Sequence, residues 1–401
     1  MREPATVASE AAHKSASRQP ETAERFYLPE LDVLRFFAFF AVFVCHVQPF
    51  GVTRGALGPM FTSGAFGVDL FFSLSGYLLT SLLLRERDQT GDIDPRAFYV
   101  RRSLRIWPLY YFSIGLAFLL TRIPASVIAA PFYPGNLFEP IQPRSYLFMA
   151  IFLFNFNIAG SFVANRYFFM DQLWSISVEE QFYLFWPWLM RYVPRRRIVV
   201  LPLVMLAVSV ITRIALPLNP YKPVWENTFT RLDPIAVGIL IALMPRLNLR
   251  PVHRVVLVIA GLASWEFAAY YCGLYEQLSV SKISMGYPAV ALGSGAFLLA
   301  TLGAKSLRSD SVMVRSLVYL GKISYGLYVY SQIAIFTVKL ALFRGAFGLE
   351  SPGHPPAWSL PTYIMLAFGL NVVLAAVSYR LLEAPFLRLK ERFTRVPSRA
   401  A

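Results

Sequence analysis

Charge is scarce in this chain. Of its 401 residues, 15% are charged and 56% are hydrophobic, whereas a soluble domain carries about 25% charged residues. Apolar runs long enough to cross a bilayer, which takes about 20 residues, recur from residue 31 to residue 383. This excludes a soluble globular protein and predicts a polytopic helical membrane protein with one membrane domain and no large soluble one. Cysteine is nearly absent: Cys45 and Cys272, both in apolar segments, offer no disulfide framework and no metal spacing. Acidic residues are also few, 23 Asp and Glu against 38 Lys and Arg, for a net charge of +15. In a soluble protein that excess would point to nucleic acid. Here the basic residues sit in short loops between apolar runs, which makes membrane lipid the expected partner and nucleic acid an unexpected one. Neither duplicated halves nor paired interrupted helices, the marks of many transporters, are visible.

Residues 1–25 are rich in Ala, Ser and Glu, mix both charge signs and lack an apolar core of signal-peptide type, so a disordered cytoplasmic tail is expected. Residues 26–390 form the membrane domain and 391–401 a basic cytoplasmic tail. Spans are predicted at 31–51, 65–84, 103–121, 172–190, 198–216, 231–246, 255–272, 285–303, 316–340 and 360–382. The apolar run Ser145–Gly160 is short for a span and contains Asn155 and Asn157. If it crossed, the loop RYVPRRR (191–197) would lie outside. If it does not, the N-terminal tail through Arg35, the loops at 85–105, 191–197, 246–254 and 304–322, and the tail 380–401 are all cytoplasmic and hold 28 of the 38 Lys and Arg. The positive-inside rule favours the second arrangement. The fold class expected is therefore all-α: a bundle of about ten transmembrane helices, both termini cytoplasmic, with 145–160 as a re-entrant or embedded helix on the outer side.

Few polar residues interrupt the spans. The first span, LDVLRFFAFFAVFVCHVQPFG (31–51), carries Arg35 near its start and His46 deep inside. The two lie roughly 16 Å apart along a helix and on nearly the same face. A mid-membrane histidine is costly and marks a functional site unless it only bonds a neighbouring helix. In FYVRRSLRIWPLYY (98–111), Arg101, Arg102 and Arg105 stand at the cytoplasmic mouth of the third span. Arg102 and Arg105 share a face and could clamp phosphates, although ordinary anchoring also explains them. In QLWSISVEEQFYLFWP (172–187), Glu179 and Glu180 lie about 10 Å below the surface, and a buried carboxylate must be paired or protonated. Asp69 lies near the outer end of GVDLFFSLSGYLL (67–79), with Ser73 and Ser75 deeper, while Gly64, Gly67 and Gly76 permit close helix approach. Arg231 and Asp233 of TFTRLDP (228–234) could form a local ion pair or bind a polar substrate. Cys45 adjoins His46 but does not share its face. His13, His253 and His354 have no visible partner in the sequence.

Four of these motifs, in this order and spacing, resemble the bacterial acyltransferase type 3 family: Arg35-x10-His46, GVDLFFSLSGYLL, FYVRRSLRIWPLYY and LWSISVEEQFYLFWP. TFTRLDPIAVG, ISYGLYVY and YRLLEAPFLRL extend the resemblance over about residues 28–390. It implies a ten-helix enzyme of the bacterial inner membrane that takes an acyl group, usually acetyl, from cytoplasmic acyl-CoA. Acceptors are hydroxyls, usually on sugars of envelope glycans. Arg35 and His46 carry over as essential residues, and Arg102 and Arg105 as the family's Arg-x-x-Arg. The family's frequent histidine in the penultimate span is replaced here by Ser331. Some members carry a fused esterase-like domain, for which this chain leaves no room.

On this reading Arg101, Arg102 and Arg105 hold the CoA phosphates, His46 is the general base and Glu179, or failing it Glu180, orients the imidazole. Asp69, Trp174, Arg231 and Asp233 are candidates for holding a carbohydrate or glycolipid acceptor. No metal and no permanently bound cofactor is expected; acyl-CoA is a substrate. The rival classes are a glycan or lipid transporter or flippase, using the same polar residues for binding alone, and a subunit that presents substrate to another enzyme.

Overall fold

The structure, a computed structural model, describes residues 26–47, 58–120, 122, 143–153, 170–216, 222–245, 247–271, 279–342 and 359–393. The expected tail 1–25 and residues 394–401 lie outside the described residues, as do Asn155 and Asn157. Among the described residues the chain is helical, without a β-strand. The main elements are α1 (Pro29–His46), α2 (Gly58–Ser63), α3 (Gly67–Thr90), α4 (Pro95–Leu120), α5 (Pro143–Ala150), α6 (Leu173–Tyr192), α7 (Val200–Ala215), α8 (Lys222–Glu226), α9 (Leu232–Leu243) and α10 (Pro251–Tyr270). They continue with α11 (Val280–Thr301), α12 (Val312–Lys322), α13 (Ser324–Ala341), α14 (Ser359–Ser378) and α15 (Ala384–Glu391).

Among the described residues, six helical stretches are long and apolar enough to cross a membrane: 61–90, 95–120, 195–215, 251–270, 280–301 and 361–391. The remaining expected spans coincide with α1, α6, α9 and the α12–α13 pair, and each departs from a simple apolar rod for a visible reason. Glu30, Asp32 and Arg35 charge α1, and Glu179, Glu180 and Arg191 charge α6. Only 12 residues long, α9 extends about 18 Å. The helix break at Ile323 divides α12 from α13. The motifs with His46 and with Glu179 and Glu180 thus lie on helices too charged to pass as simple spans, whereas those on α3 and α4 lie on helices apolar enough to cross.

The bundle is organised around α3, which packs on α1, α6, α9 and α11. Small residues set its distances. A Cβ on Gly76 would lie 2.3 Å from the Ile235 carbonyl oxygen, and one on Gly238 would lie 2.0 Å from that of Ser73. Only glycine allows α3 and α9 to meet this closely. Gly64 and Gly67 face the Ala41 and Ala38 carbonyls of α1 in the same way, at 2.4 and 2.2 Å.

The first half of the run 145–160 forms α5, which ends against the middle of α4. Its last carbonyls are taken by side chains: Tyr110 Oη donates to Met149 O at 2.7 Å and Tyr111 Oη to Ala150 O at 2.9 Å. Phe152 adopts a left-handed φ of 57°, and its carbonyl accepts from Gln181 Nε2 at 2.9 Å. A helix end with partnered carbonyls against two neighbouring helices is the form in which irregular backbone is tolerated inside a membrane protein.

Candidate functional site

A basic pocket lies beside the N-terminal end of α1, enclosed by α1, α3 and α4. Arg35, Arg101, Arg102, Arg105 and Lys390 line it, with Glu86 as its carboxylate and Leu31, Leu79, Leu83 and Phe98 as apolar wall. The cations differ in how they are held. Arg35 pairs with the buried Asp32 at 2.5 Å, and Asp32 also accepts from Tyr27 Oη at 2.9 Å. Arg101 pairs with the buried Glu86 at 2.9 Å and donates to the Phe393 carbonyl at 3.1 Å. Among the described residues Arg102 makes no ion pair in the pocket. Its guanidinium lies over the rings of Tyr183 and Phe98, at 5.7 and 5.8 Å. Two cations are therefore pinned by carboxylates in the pocket, while Arg102 is placed over ring faces.

One turn along α3 from Leu78 and Leu79 of the pocket wall is Ser75. Its Oγ donates to Glu179 Oε1 at 2.5 Å, and Tyr183 Oη donates to Glu179 Oε2 at 2.7 Å. Both carboxylate oxygens are thereby engaged, and the nearby charges acting on Glu179 are Arg102 and Arg105. Glu180, the next residue on α6, points elsewhere and accepts from Trp107 Nε1 at 3.3 Å.

His46 closes α1 at its other end. Its Nδ1 lies 2.8 Å from the carbonyl oxygen of Val42, one turn back. A carbonyl only accepts, so Nδ1 carries the hydrogen and Nε2 of the neutral ring keeps its lone pair. The residue is accessible although protein surrounds it closely, in contrast to the fully covered Val42 and Phe43. The carboxylate that acts on the ring electrostatically is Asp171, two residues before α6. This corrects the expected pairing of His46 with Glu179, or with Glu180 in its place. Glu179 is spent on Ser75 and Tyr183 at the level of the basic pocket, and Glu180 on Trp107.

The four residues expected to hold an acceptor form a different structure. Arg231 does not pair with Asp233 beside it. It pairs with Asp69 on α3 at 2.8 Å, both side chains almost wholly buried. Asp233 pairs instead with Arg213 of α7 at 3.1 Å, also buried. Arg213 Nη1 donates further to Ser209 Oγ at 2.8 Å and to the Thr230 carbonyl at 2.7 Å. An aromatic box surrounds Arg231, with the rings of Trp225, Tyr287 and Trp174 at 4.3, 5.0 and 5.7 Å. The geometry is that of a buried two-pair network clamping α3, α7 and α9, in place of the local Arg231–Asp233 ion pair that the sequence allowed. Removing one partner of a buried pair strands the other charge and costs about 3–5 kcal/mol. Asp69→Asn and Arg213→Leu are therefore expected to lower the stability of the purified protein by about that amount, read as the shift of its unfolding transition. Unchanged stability with a raised acceptor KM would return these residues to substrate binding.

Sequence reasoning passed over Asp171, Tyr183, Arg213, Trp225, Tyr287 and Lys390. Arg213 had a signal, as the lone charge in the apolar run 198–216. Ser331 donates to the Tyr328 carbonyl at 2.8 Å and is buried, a local backbone contact rather than a replacement for a titrating group.

The family model described as "Acyltransferase domain", of type 3, matches residues 28–380. The chain belongs to the acyltransferase type 3 family. Among its relatives, the "O-acetyltransferase OatA" of Staphylococcus aureus strain NCTC 8325 / PS 47 is 27% identical over 384 residues, covering 90% of this chain and 57% of the relative. The protein of the same name from strain COL matches to the same extent. The chain thus spans little more than half the length of these relatives. No solved structure matches it. The arginines of the basic pocket, Glu179 and His46 all fall inside the acyltransferase type 3 region, as does the charge network around Arg231, while Lys390 lies just beyond it.

Proposed function

We propose that the chain is an integral-membrane O-acyltransferase that moves an acyl group, acetyl as the leading candidate, from cytoplasmic acyl-CoA to a hydroxyl of a cell-envelope glycan or other sugar-containing acceptor. One observation carries this reading: α1 has the basic pocket at one end and, at the other, an imidazole whose Nε2 is free to accept a proton. The relatives named O-acetyltransferase support the acetyl group.

The dimensions fit the donor. Arg35 and His46 are separated by 11 residues, roughly 16 Å of helix. Thirteen bonds lie between the sulfur of CoA and its first phosphorus, and at roughly 1.2 Å of advance per bond they also span about 16 Å. With the diphosphate on Arg102 and Arg105, the thioester therefore reaches the level of His46. There Nε2 takes the proton of the acceptor hydroxyl while its oxygen attacks the thioester carbonyl carbon. The C–S bond breaks, and the leaving thiolate takes the proton back from the imidazolium. Asp171 stabilises the imidazolium between these steps, and Glu179 balances the arginines beside the arm of the donor. Comparing envelope glycans and lipids by mass spectrometry, with and without the gene, is the direct test. A mass difference of one acyl group names group and acceptor together, and identical spectra remove the reading.

The reading places the chain in the bacterial inner membrane with ten spans and cytoplasmic termini. The run 145–160 then re-enters from the outer side, which the partnered end of α5 against α4 and α6 supports. Single cysteines introduced at positions 195 and 138, in a background without Cys45 and Cys272, check this. Position 195 is expected to react only from the cytoplasm and position 138 only from outside. Labelling of 195 from outside would overturn the ten-span arrangement.

A further inference from the structure

A second cavity adjoins the basic pocket. Phe26 and Leu28 line both, so the segment that leads into α1 is the wall between them. The second cavity lies between the ends of α3, α9 and α11 and has a volume of about 470 Å³, against about 100 Å³ for the basic pocket. Ligand pockets generally measure about 300–1,000 Å³. The basic pocket can therefore take a diphosphate and the start of an extended arm, but not a nucleotide as well.

The charges of the second cavity are unbalanced. Arg85, Arg195, Arg254 and Arg308 face Glu30 and Asp88. Glu30 is committed: it accepts from Arg308 Nε at 3.0 Å and Nη2 at 2.5 Å and from the Gly303 N–H at 3.1 Å. Arg254 is spent on the carbonyls of Ala300 and Leu302, at 2.6 and 2.8 Å. Arg195 pairs with Asp88, but both side chains are exposed, and an exposed ion pair exchanges partners at little cost. Arg85 makes no ion pair among the described residues; its guanidinium lies 4.1 Å from the centroid of the Phe26 ring. A guanidinium placed over a ring face, with no carboxylate paired to it among the described residues, suits a phosphate monoester. The remaining wall is largely apolar, including Ile241, Leu299 and Leu302, with Tyr77, Ser81 and Asn248 as its uncharged polar side chains.

We infer that this second cavity binds the 3′-phosphoadenosine end of the acyl-CoA donor, with Arg85 and Arg195 on the 3′-phosphate and the apolar wall against the base. The inference rests on the donor reading of the basic pocket. CoA passes over the Phe26–Leu28 wall, its diphosphate on one side and its nucleoside on the other.

The test is competition binding to the full chain in lipid nanodiscs, with CoA and dephospho-CoA as probes. The two differ only by the 3′-phosphate. A charge-assisted contact is worth about 10- to 150-fold in affinity, so the wild type is expected to prefer CoA by about that factor. Arg85→Ala should abolish the preference by weakening CoA and leaving dephospho-CoA unchanged, and Arg195→Ala, on the exposed rim, should reduce it. Arg102→Ala should weaken both probes alike. A wild type that does not distinguish the probes, or a preference that survives both Arg85→Ala and Arg195→Ala, overturns the inference while leaving the donor reading intact. Probe binding that is indifferent to Arg102→Ala and Arg105→Ala overturns the donor reading itself. Comparing phosphatidylglycerol with phosphatidylcholine nanodiscs separates a lipid source of phosphate. A preference for CoA that appears only without the anionic lipid and ignores Arg85 would assign the cavity to a headgroup.

Discussion

His46→Gln is expected to lower kcat for acyl transfer by at least about 10²-fold, and by as much as about 10⁴-fold, the usual contribution of a general base. Glutamine keeps the approximate size of the side chain and can still donate toward Val42 O, the contact His46 makes at 2.8 Å. What it lacks is a nitrogen able to accept and hold a proton near neutral pH. Folding and CoA affinity should stay near those of the wild type, because the hydrogen bond of the ring is local, to Val42 one turn back, and His46 lies at the far end of α1 from the basic pocket. Retention of a third or more of the wild-type rate would make His46 structural and move the chemistry to another group. Asp171→Asn tests the supporting role: it should lower kcat without changing donor KM, whereas Glu179→Gln should act at the donor side.

Arg102→Ala is expected to raise the apparent donor KM by about 10- to 150-fold, the equivalent of about 1.5–3 kcal/mol for a lost charge-assisted contact. Lysine should rescue only in part, since it restores the charge without the planar fork. Arg101→Ala is a useful contrast. Arg101 is pinned by Glu86 and the Phe393 carbonyl, so its loss frees a buried carboxylate and should show in stability as much as in donor binding. Equal CoA affinity in wild type and Arg102→Ala, on folded protein, would leave the arginines as membrane anchors.

Much of the architecture is legible in the sequence because the bilayer is a simple solvent. Apolar length and loop charge locate helical segments without any knowledge of their neighbours. The small residues Gly64, Gly67 and Gly76 also state their purpose, since little but close helix contact calls for them there, and each does face a neighbouring carbonyl. Pairing across the bundle is another matter. Arg231 and Asp233 are two residues apart, and nothing local reveals that Arg231 reaches Asp69, 162 residues away, while Asp233 turns to Arg213. Glu179 and His46 suited each other chemically but not in depth. Their levels in the bundle depend on how far α1 and α6 each slide along α3, on which both pack, a quantity fixed by side-chain packing. The carboxylate near His46 is Asp171 for the same reason: it sits before α6 begins, at the end of the bundle that His46 reaches. Ser75 and Ser73 likewise looked alike until packing separated them, Ser73 donating to the Pro234 carbonyl at 2.9 Å and Ser75 to Glu179 at 2.5 Å.

The account stands on transfer from acyl-CoA through His46, and one measurement tests it most directly. Inverted membrane vesicles, which present the cytoplasmic face outward, are incubated with acetyl-CoA labelled in the acetyl group, and label in the extracted glycan and glycolipid fraction is counted. Vesicles carrying the wild-type protein should incorporate label well above vesicles without it, and vesicles carrying His46→Gln at equal protein level should match those without it. Wild-type incorporation no higher than in vesicles lacking the protein, or full incorporation with His46→Gln, would contradict the account.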